Sequence, residues 1–227
     1  MNASSHQPSD LRRTRAEKLA DARLYLCIDS RSEQGDLEEF LHAAYEGGVD
    51  IIQLRDKRIE ARAEIAALEL LGDVARQHDK LFAANDRADV CLLTGADVFH
   101  VGQKDLTSEQ VRRVLGPDVL LGRSNNSLVQ FAESYADPEL DYAVIGPVWE
   151  TPTKPGRPAV GLDTVRAVAE HVANVGGDKP WWGIGGVNAD TTPEVMAAGA
   201  QRIVVVRAIA DAADPEAAAR ELKNLVG

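Results

Sequence analysis

Short apolar runs rich in β-branched residues recur along the chain, and longer stretches of helical period separate them. The runs are Leu24–Ile28, Val49–Leu54, Lys80–Ala84, Val98–Val101, Val119–Gly122, Tyr142–Ile145, Trp181–Ile184 and Arg202–Val206. They predict eight strands. Between and after them the amphipathic stretches Leu37–Tyr45, Ala61–His78, Ser108–Leu115, Leu128–Tyr135, Asp163–His171, Pro193–Ala197 and Pro215–Leu225 predict helices, with a short one over Arg87–Leu93. Before the first strand, DLRRTRAEKLADARL reads as a further helix with Asp10 as its N-cap.

A strand–helix unit repeated eight times implies a parallel sheet, and eight units in this length fit a closed (β/α)8 TIM barrel of the α/β class. The competing arrangement is an open doubly wound sheet, which typically carries GxGxxG after its first strand. Here that position reads CIDSRSEQGD. The division that follows is an N-terminal tail and helix over 1–23 and a catalytic barrel over 24–227.

Composition narrows the class. With 44% hydrophobic and 27% charged residues the chain is an ordinary globular one. Its net charge of -11 opposes binding to nucleic acid, so an anionic partner must be small and must meet cations gathered locally. Cys27 and Cys91 lie in apolar surroundings without a second cysteine at metal-ligand spacing, and read as buried thiols of a reducing compartment. Residues 1–23 lack the apolar segment of a signal peptide, and no run approaches the roughly 20 apolar residues of a membrane span. A cytoplasmic protein with no membrane or nucleic-acid partner is the expectation. Oligomeric state stays open, a homo-oligomer included.

In a barrel, chemistry gathers where each strand hands over to the following loop. The second strand ends in Gln53-Leu54-Arg55-Asp56-Lys57-Arg58, and a period of two puts Gln53, Arg55 and Lys57 on one side. Arginine offers phosphate a planar fork and lysine a compact charge. Alone, such a run reads equally as a solvated loop with Asp56 and Arg58 as internal partners. The third and fourth strands lead to Asn85-Asp86 and to His100-Val101-Gly102-Gln103-Lys104-Asp105. Asp86 and Asp105 therefore end neighbouring strands about 5 Å apart, an arrangement suited to Mg2+ with water and phosphate oxygens completing its shell. Taken singly, each is also a good helix cap or turn residue.

After the fifth strand Ser124 offers a hydroxyl, and Asn126 or Ser127 a helix cap. The sixth leads into a long proline-rich loop with Thr151, Pro152, Thr153 and Lys154. The seventh and eighth lead to Gly185-Gly186 and to Val206-Arg207, where glycine and backbone N–H groups suit a phosphate. Two anion sites emerge, one on Gly186, Val206 and Arg207 and the other on Arg55, Lys57 and a metal held by Asp86 and Asp105. A barrel with two phosphorylated ligands joins them or moves a group between them.

The segments QLRDK, AANDRAD, HVGQKDL, GRSNNS, GPVWETPTK and GIGGVN, in this order and spacing, resemble thiamine-phosphate synthases. The resemblance runs from about Leu24 to the C-terminus. It implies that 4-amino-5-hydroxymethyl-2-methylpyrimidine diphosphate and a thiazole phosphate are condensed to thiamine phosphate and pyrophosphate. It implies that Gln53, Arg55, Lys57, Asn85, Ser124 and Lys154 hold the pyrimidine diphosphate, with Arg55, Lys57, Lys154 and Ser124 catalytic, and that Leu54 and Asp56 are among the substrate-binding residues. It further implies that Asp86 and Asp105 hold magnesium, and that Thr151, Pro152, Thr153, Gly186, Val206 and Arg207 hold the thiazole phosphate. The chain departs from many members in carrying Arg207 for serine and Asn126 for histidine. A histidine at position 126 marks a sister group, the thiazole tautomerases, so its replacement by asparagine favours the synthase. The alternatives are a tautomerase-like isomerase, for which His100 is the candidate histidine by strand placement, and a non-catalytic ligand-binding barrel. A histidine between Phe99 and Val101 reads first as a hydrogen-bonded structural residue.

Overall fold

The computed structural model describes residues 9–151 and 158–227. Eight parallel strands close into a barrel in sequence order: β1 (Leu24–Ile28), β2 (Ile51–Leu54), β3 (Leu81–Asn85), β4 (Val98–Val101), β5 (Leu120–Asn125), β6 (Tyr142–Ile145), β7 (Trp181–Ile184) and β8 (Ile203–Val205), with β8 paired back onto β1. Around them run α2 (Leu37–Glu46), α3 (Ala61–Gln77), α4 (Ala88–Thr94), α5 (Ser108–Leu115), α6 (Leu128–Ala136), α7 (Gly161–Val175), α8 (Thr192–Ala197), α9 (Arg207–Ala210) and α10 (Pro215–Val226). One more helix, α1 (Asp10–Asp21), precedes the first strand. This is the (β/α)8 barrel with an extra N-terminal helix that the hydrophobic rhythm predicts.

Several element boundaries shift by one or more residues from expectation, two of them for clear local reasons. Ser9, not Asp10, caps α1, because its side chain accepts from the Arg12 backbone N–H and leaves Asp10 in the first turn. β5 runs on past Gly122 through Ser124 and Asn125, which stay in register with Val144 and Ile145 of β6. Three polar residues, Arg123, Ser124 and Asn125, thus remain in the sheet, beyond the apolar run that marks the strand in sequence.

The strands read as continuous apolar runs because both faces are buried. One face looks outward onto the helices: Leu24, Leu26, Ile52, Phe82, Phe99 and Leu121 lie in the large core between sheet and helices. The other fills the barrel with Tyr25, Ile51, Leu81, Val98, Leu120, Tyr142, Trp182 and Val204. Tyr142 fits there because its neighbour on β5 is Gly122, where a Cβ would come within 1.9 Å of the tyrosine ring. Cys91 is buried with the outer core, and burial pushes its thiol up to about 12. No helix among the described residues is long and apolar enough to cross a membrane.

The end of the barrel where the strands begin is closed by α1. Leu19 and Ala22 join the interior apolar cluster. Arg15 Nε lies 2.8 Å from Asp97 Oδ1, and the same guanidinium donates to the Asp118 and Gly95 carbonyls. Arg12 pairs with Asp141, and Ser9 donates to Asp118.

Asp50 is a second tie at this end. Its carboxylate accepts from the Arg23 and Leu24 backbone N–H groups and pairs with Lys80 at 2.8 Å and Lys223 at 2.6 Å. Burial by itself would raise its pKa, but the two ammonium groups and two N–H donors outweigh it and hold the carboxyl below its ordinary value. A lowered folded pKa gives stability that is fully present above the unfolded pKa, about 4. That stability is lost as pH falls through the lower folded value. Asp50→Asn is therefore expected to lower Tm at neutral pH and to flatten the decline of Tm between about pH 5 and pH 2. Thermal unfolding followed across that range checks it, and an acid limb unchanged by the substitution would contradict it.

Candidate active site

The opposite end, where the strands finish, collects the polar side chains. Gln53 and Arg55, at the end of β2, border a small cavity of about 50 Å3 inside the barrel, together with Tyr25, Asn85, His100 and Ser124. Gln53 is buried; its Nε2 donates to Asn85 Oδ1 at 2.7 Å, and its Oε1 accepts from Tyr25 at 3.0 Å. Leu54, between the two inward residues, turns out into the core under the helices. Lys57 lies beyond the strand and separates from the pair, its Nζ 2.7 Å from Asp86 Oδ2. The Asp56 carboxylate is buried and satisfied by the protein: it accepts from Ser30 Oγ at 2.7 Å and from the Arg58 backbone N–H at 3.0 Å. Asp56 thereby fastens the loop after β1 to the loop that presents Arg55 and Lys57.

Asp86 sits immediately after β3 with φ 59°, left-handed backbone that aspartate tolerates better than most residues. The Arg87 N–H reaches back to the Asn85 carbonyl at 2.6 Å, a tight turn centred on Asp86. Its own N–H donates to the His100 carbonyl at 3.0 Å, which continues the ladder toward β4. Asp86 is not the cap of α4; that position is Arg87. Asp105 comes back across from β4 on a turn closed by the Gly102 N–H, which donates to its Oδ2 at 2.7 Å.

The two carboxyl groups lie within hydrogen-bonding reach of each other. Burial disfavours the charge on Asp86, but Lys57, Asp105 and the Asn85 side chain overcome it and hold its pKa below the ordinary value. For Asp105, burial and the neighbouring Asp86 charge push the pKa up. Two acids from adjacent strand ends, with one lysine already drawn to them, make a donor set that fits magnesium, which takes one or two carboxylates and keeps water or phosphate oxygens in its other positions. No cluster of three or more acidic, histidine or cysteine groups exists among the described residues.

Two larger cavities open on the same rim. One, of about 510 Å3, is bordered by Lys57, Gln103, Lys104, Asp105 and Asn126. The other, of about 360 Å3, is bordered by Ser124, Thr151, Gly186, Val206 and Arg207. Glycine is needed at 186: its φ is 73°, and a Cβ there would meet Trp149 Cβ at 2.7 Å. Thr191 Oγ1 donates to the Gly186 carbonyl at 3.0 Å and fixes that turn. Ser124 borders both this cavity and the small interior one, so ligands in the two would meet at its hydroxyl. Pro152, Thr153 and Lys154 lie outside the described residues.

Sequence reasoning passed over one part of the site. Beneath Gln53 and Ser124, Tyr25 and Tyr142 meet through their hydroxyls at 3.2 Å, and His100 bridges Tyr142 at 2.9 Å and Ser124 at 2.7 Å. Both tyrosines read as apolar core in the strand pattern, and the five aromatic and polar side chains joined here come from five different strands. The expectation of a hydrogen-bonded structural role for His100 agrees with these contacts.

The chain matches the thiamine monophosphate synthase family over residues 24–209. The thiamine-phosphate synthase of Mycobacterium sp. (strain KMS) is 54% identical over 215 residues, covering 91% of this chain and 93% of that one. That of Thermobifida fusca (strain YX) is 52% identical over 211 residues, covering 93% and 95%. Among solved structures, the thiamine phosphate pyrophosphorylase from Pyrococcus furiosus superposes with a TM-score of 0.80 at 30% identity, covering 93% of this chain and 96% of that one. Fold, rim and sequence lead to one assignment: the chain belongs to the thiamine monophosphate synthase family.

Proposed function

We propose that the chain is a magnesium-dependent transferase of thiamine biosynthesis, acting in the cytoplasm. It condenses 4-amino-5-hydroxymethyl-2-methylpyrimidine diphosphate with 4-methyl-5-(2-phosphoethyl)thiazole, plain or carboxylated, to thiamine phosphate and pyrophosphate. The observation that carries this reading is Ser124 standing at the junction of the interior cavity and the cavity of Gly186, Val206 and Arg207, with Asn85 of the interior cavity leading directly into the Lys57–Asp86–Asp105 cluster. Two ligands held in these cavities would touch, and the charged cluster is positioned for the anionic group of one of them.

In this reading Gln53, Asn85 and Ser124 hold the pyrimidine. Arg55 and Lys57, with Lys154 from the sequence after β6, carry the negative charge that grows on the diphosphate as its bond to the methylene carbon breaks. The electron pair leaves with pyrophosphate, and the electron-rich aminopyrimidine spreads the positive charge left on carbon. Gly186, Val206 and Arg207, with Thr151 and Thr153, hold the thiazole phosphate, so that the ring nitrogen is positioned to form the new C–N bond. No protein nucleophile is needed. Asp86 and Asp105 would hold magnesium, which supplies charge neutralisation for the leaving group. Barrel residues 24–227 form the catalytic unit.

The test is to mix both substrates with magnesium and follow pyrophosphate. Release is expected only when pyrimidine diphosphate, thiazole phosphate and the ion are all present. Release without the thiazole phosphate, or isomerisation of a thiazole with no pyrophosphate formed, would replace this reading.

A further inference from the structure

The side chains at the floor of the interior cavity form one continuous hydrogen-bonded line, and the proton positions along it can be worked out from one end. The line starts at the Asn85 amide, which turns its Oδ1 toward Gln53. An amide oxygen only accepts, and Gln53 Nε2 donates to it at 2.7 Å. Gln53 Oε1 then accepts from the Tyr25 hydroxyl at 3.0 Å. Tyr25 has a single proton and has used it, so in the 3.2 Å contact between the tyrosines Tyr142 is the donor. Tyr142 has in turn used its own proton, so it accepts from His100 Nδ1 at 2.9 Å. A neutral imidazole protonated at Nδ1 accepts at Nε2, and the partner there, at 2.7 Å, is the Ser124 hydroxyl. Every donor along the line points toward Asn85.

Resting on the proposed function for the nature of the ligand, we infer that this one-way line fixes the hydrogen-bonding polarity of the cavity, and that Tyr25, Tyr142 and His100 are positioning residues that make it select an amino over an oxo pyrimidine. With its proton committed to His100, Ser124 presents only lone pairs to a ligand. Gln53, with Oε1 committed to Tyr25, has its second amide hydrogen left for the cavity it borders. An acceptor and a donor side by side match an exocyclic amine beside an unprotonated ring nitrogen. The 4-oxo ring presents a carbonyl beside a ring N–H, the opposite pattern, and leaves buried polar groups facing their like. The selectivity follows from the order of protons, without any charged group touching the ring.

Two measurements decide it. The first is the side-chain 15N spectrum of the unliganded wild-type chain, with the signals of His100 assigned through its own backbone resonances. The expected result is a neutral ring protonated at Nδ1; protonation at Nε2 alone, or at both nitrogens, overturns the inference. The second is calorimetric binding of 4-amino-5-hydroxymethyl-2-methylpyrimidine diphosphate and of its 4-oxo counterpart, with magnesium and without thiazole phosphate. Tyr142→Phe keeps the ring that fills the space beside Gly122 but breaks the line in the middle. It is expected to retain the thermal transition and to lose about tenfold in the amino-over-oxo affinity ratio, the effect of roughly one hydrogen bond. An unchanged ratio in a folded variant overturns the inference. Neither readout needs turnover. Failure of wild-type pyrophosphate release with the His100 tautomer and the affinity ratio as expected would count against the proposed reaction and leave the proton order standing.

Discussion

Replacing Asp86 is expected to reduce pyrophosphate release by roughly a hundredfold to a thousandfold, the scale on which removal of one preorganised charge-stabilising group acts. Two variants are needed to read the result. Asp86 occupies left-handed backbone, where alanine carries a strain of about 1–2 kcal/mol that asparagine largely avoids. Asp86→Ala therefore mixes loss of the carboxylate with backbone cost, whereas Asp86→Asn keeps the turn and an oxygen for Asn85 and removes the charge. Both are expected to stay folded, because the side chain is tied to Lys57, Asp105 and Asn85 at the rim and not to the apolar core. Lys57 loses its partner and Asp105 its repulsive neighbour. Steady-state pyrophosphate release at varied magnesium, beside a thermal melt, checks this. Wild-type turnover in the asparagine variant would remove the metal assignment.

Arg55→Ala is expected to cost roughly 3 kcal/mol in kcat/KM, somewhat over a hundredfold, because a guanidinium paired with a diphosphate makes charge-assisted hydrogen bonds that water replaces poorly. The loss should fall on the pyrimidine diphosphate and leave the KM for thiazole phosphate nearly unchanged. Arg55 borders the interior cavity with Gln53 and Asn85 and takes no part in the cavity of Gly186 and Arg207. A defect confined to thiazole phosphate would reverse the partition of the two anion sites. Arg55→Lys should recover only part of the loss, since an ammonium restores charge without the planar fork.

The eight strands were legible because a sheet buried on both faces leaves dense apolar runs, and barrel geometry then told which end of each run to inspect. Gln53, Arg55, Asp86 and Asp105 could be found this way, each within a few residues of a run. What the pattern could not show depends on neighbours far apart in sequence. Lys57 shares the spacing of Gln53 and Arg55, yet it has left the strand and turns to Asp86. Asp56 reads as one more rim charge until Ser30, 26 positions earlier, is seen to satisfy it. Tyr25 and Tyr142 satisfy an apolar pattern with their rings while their hydroxyls meet across 117 positions of sequence. The end of β5 was misread because Ser124 and Asn125 are polar, and only pairing to β6 keeps them in the sheet.

The helix that closes the lower end of the barrel has a consequence for access. With Leu19 and Ala22 packed against the interior cluster, and Tyr25, Tyr142 and Trp182 filling the layers above, the described residues leave no passage along the axis. Substrates and products are left to pass at the opposite rim, where the cavities open. Entry and exit therefore share one face of the molecule, the one that carries Arg55, Lys57 and Asp105.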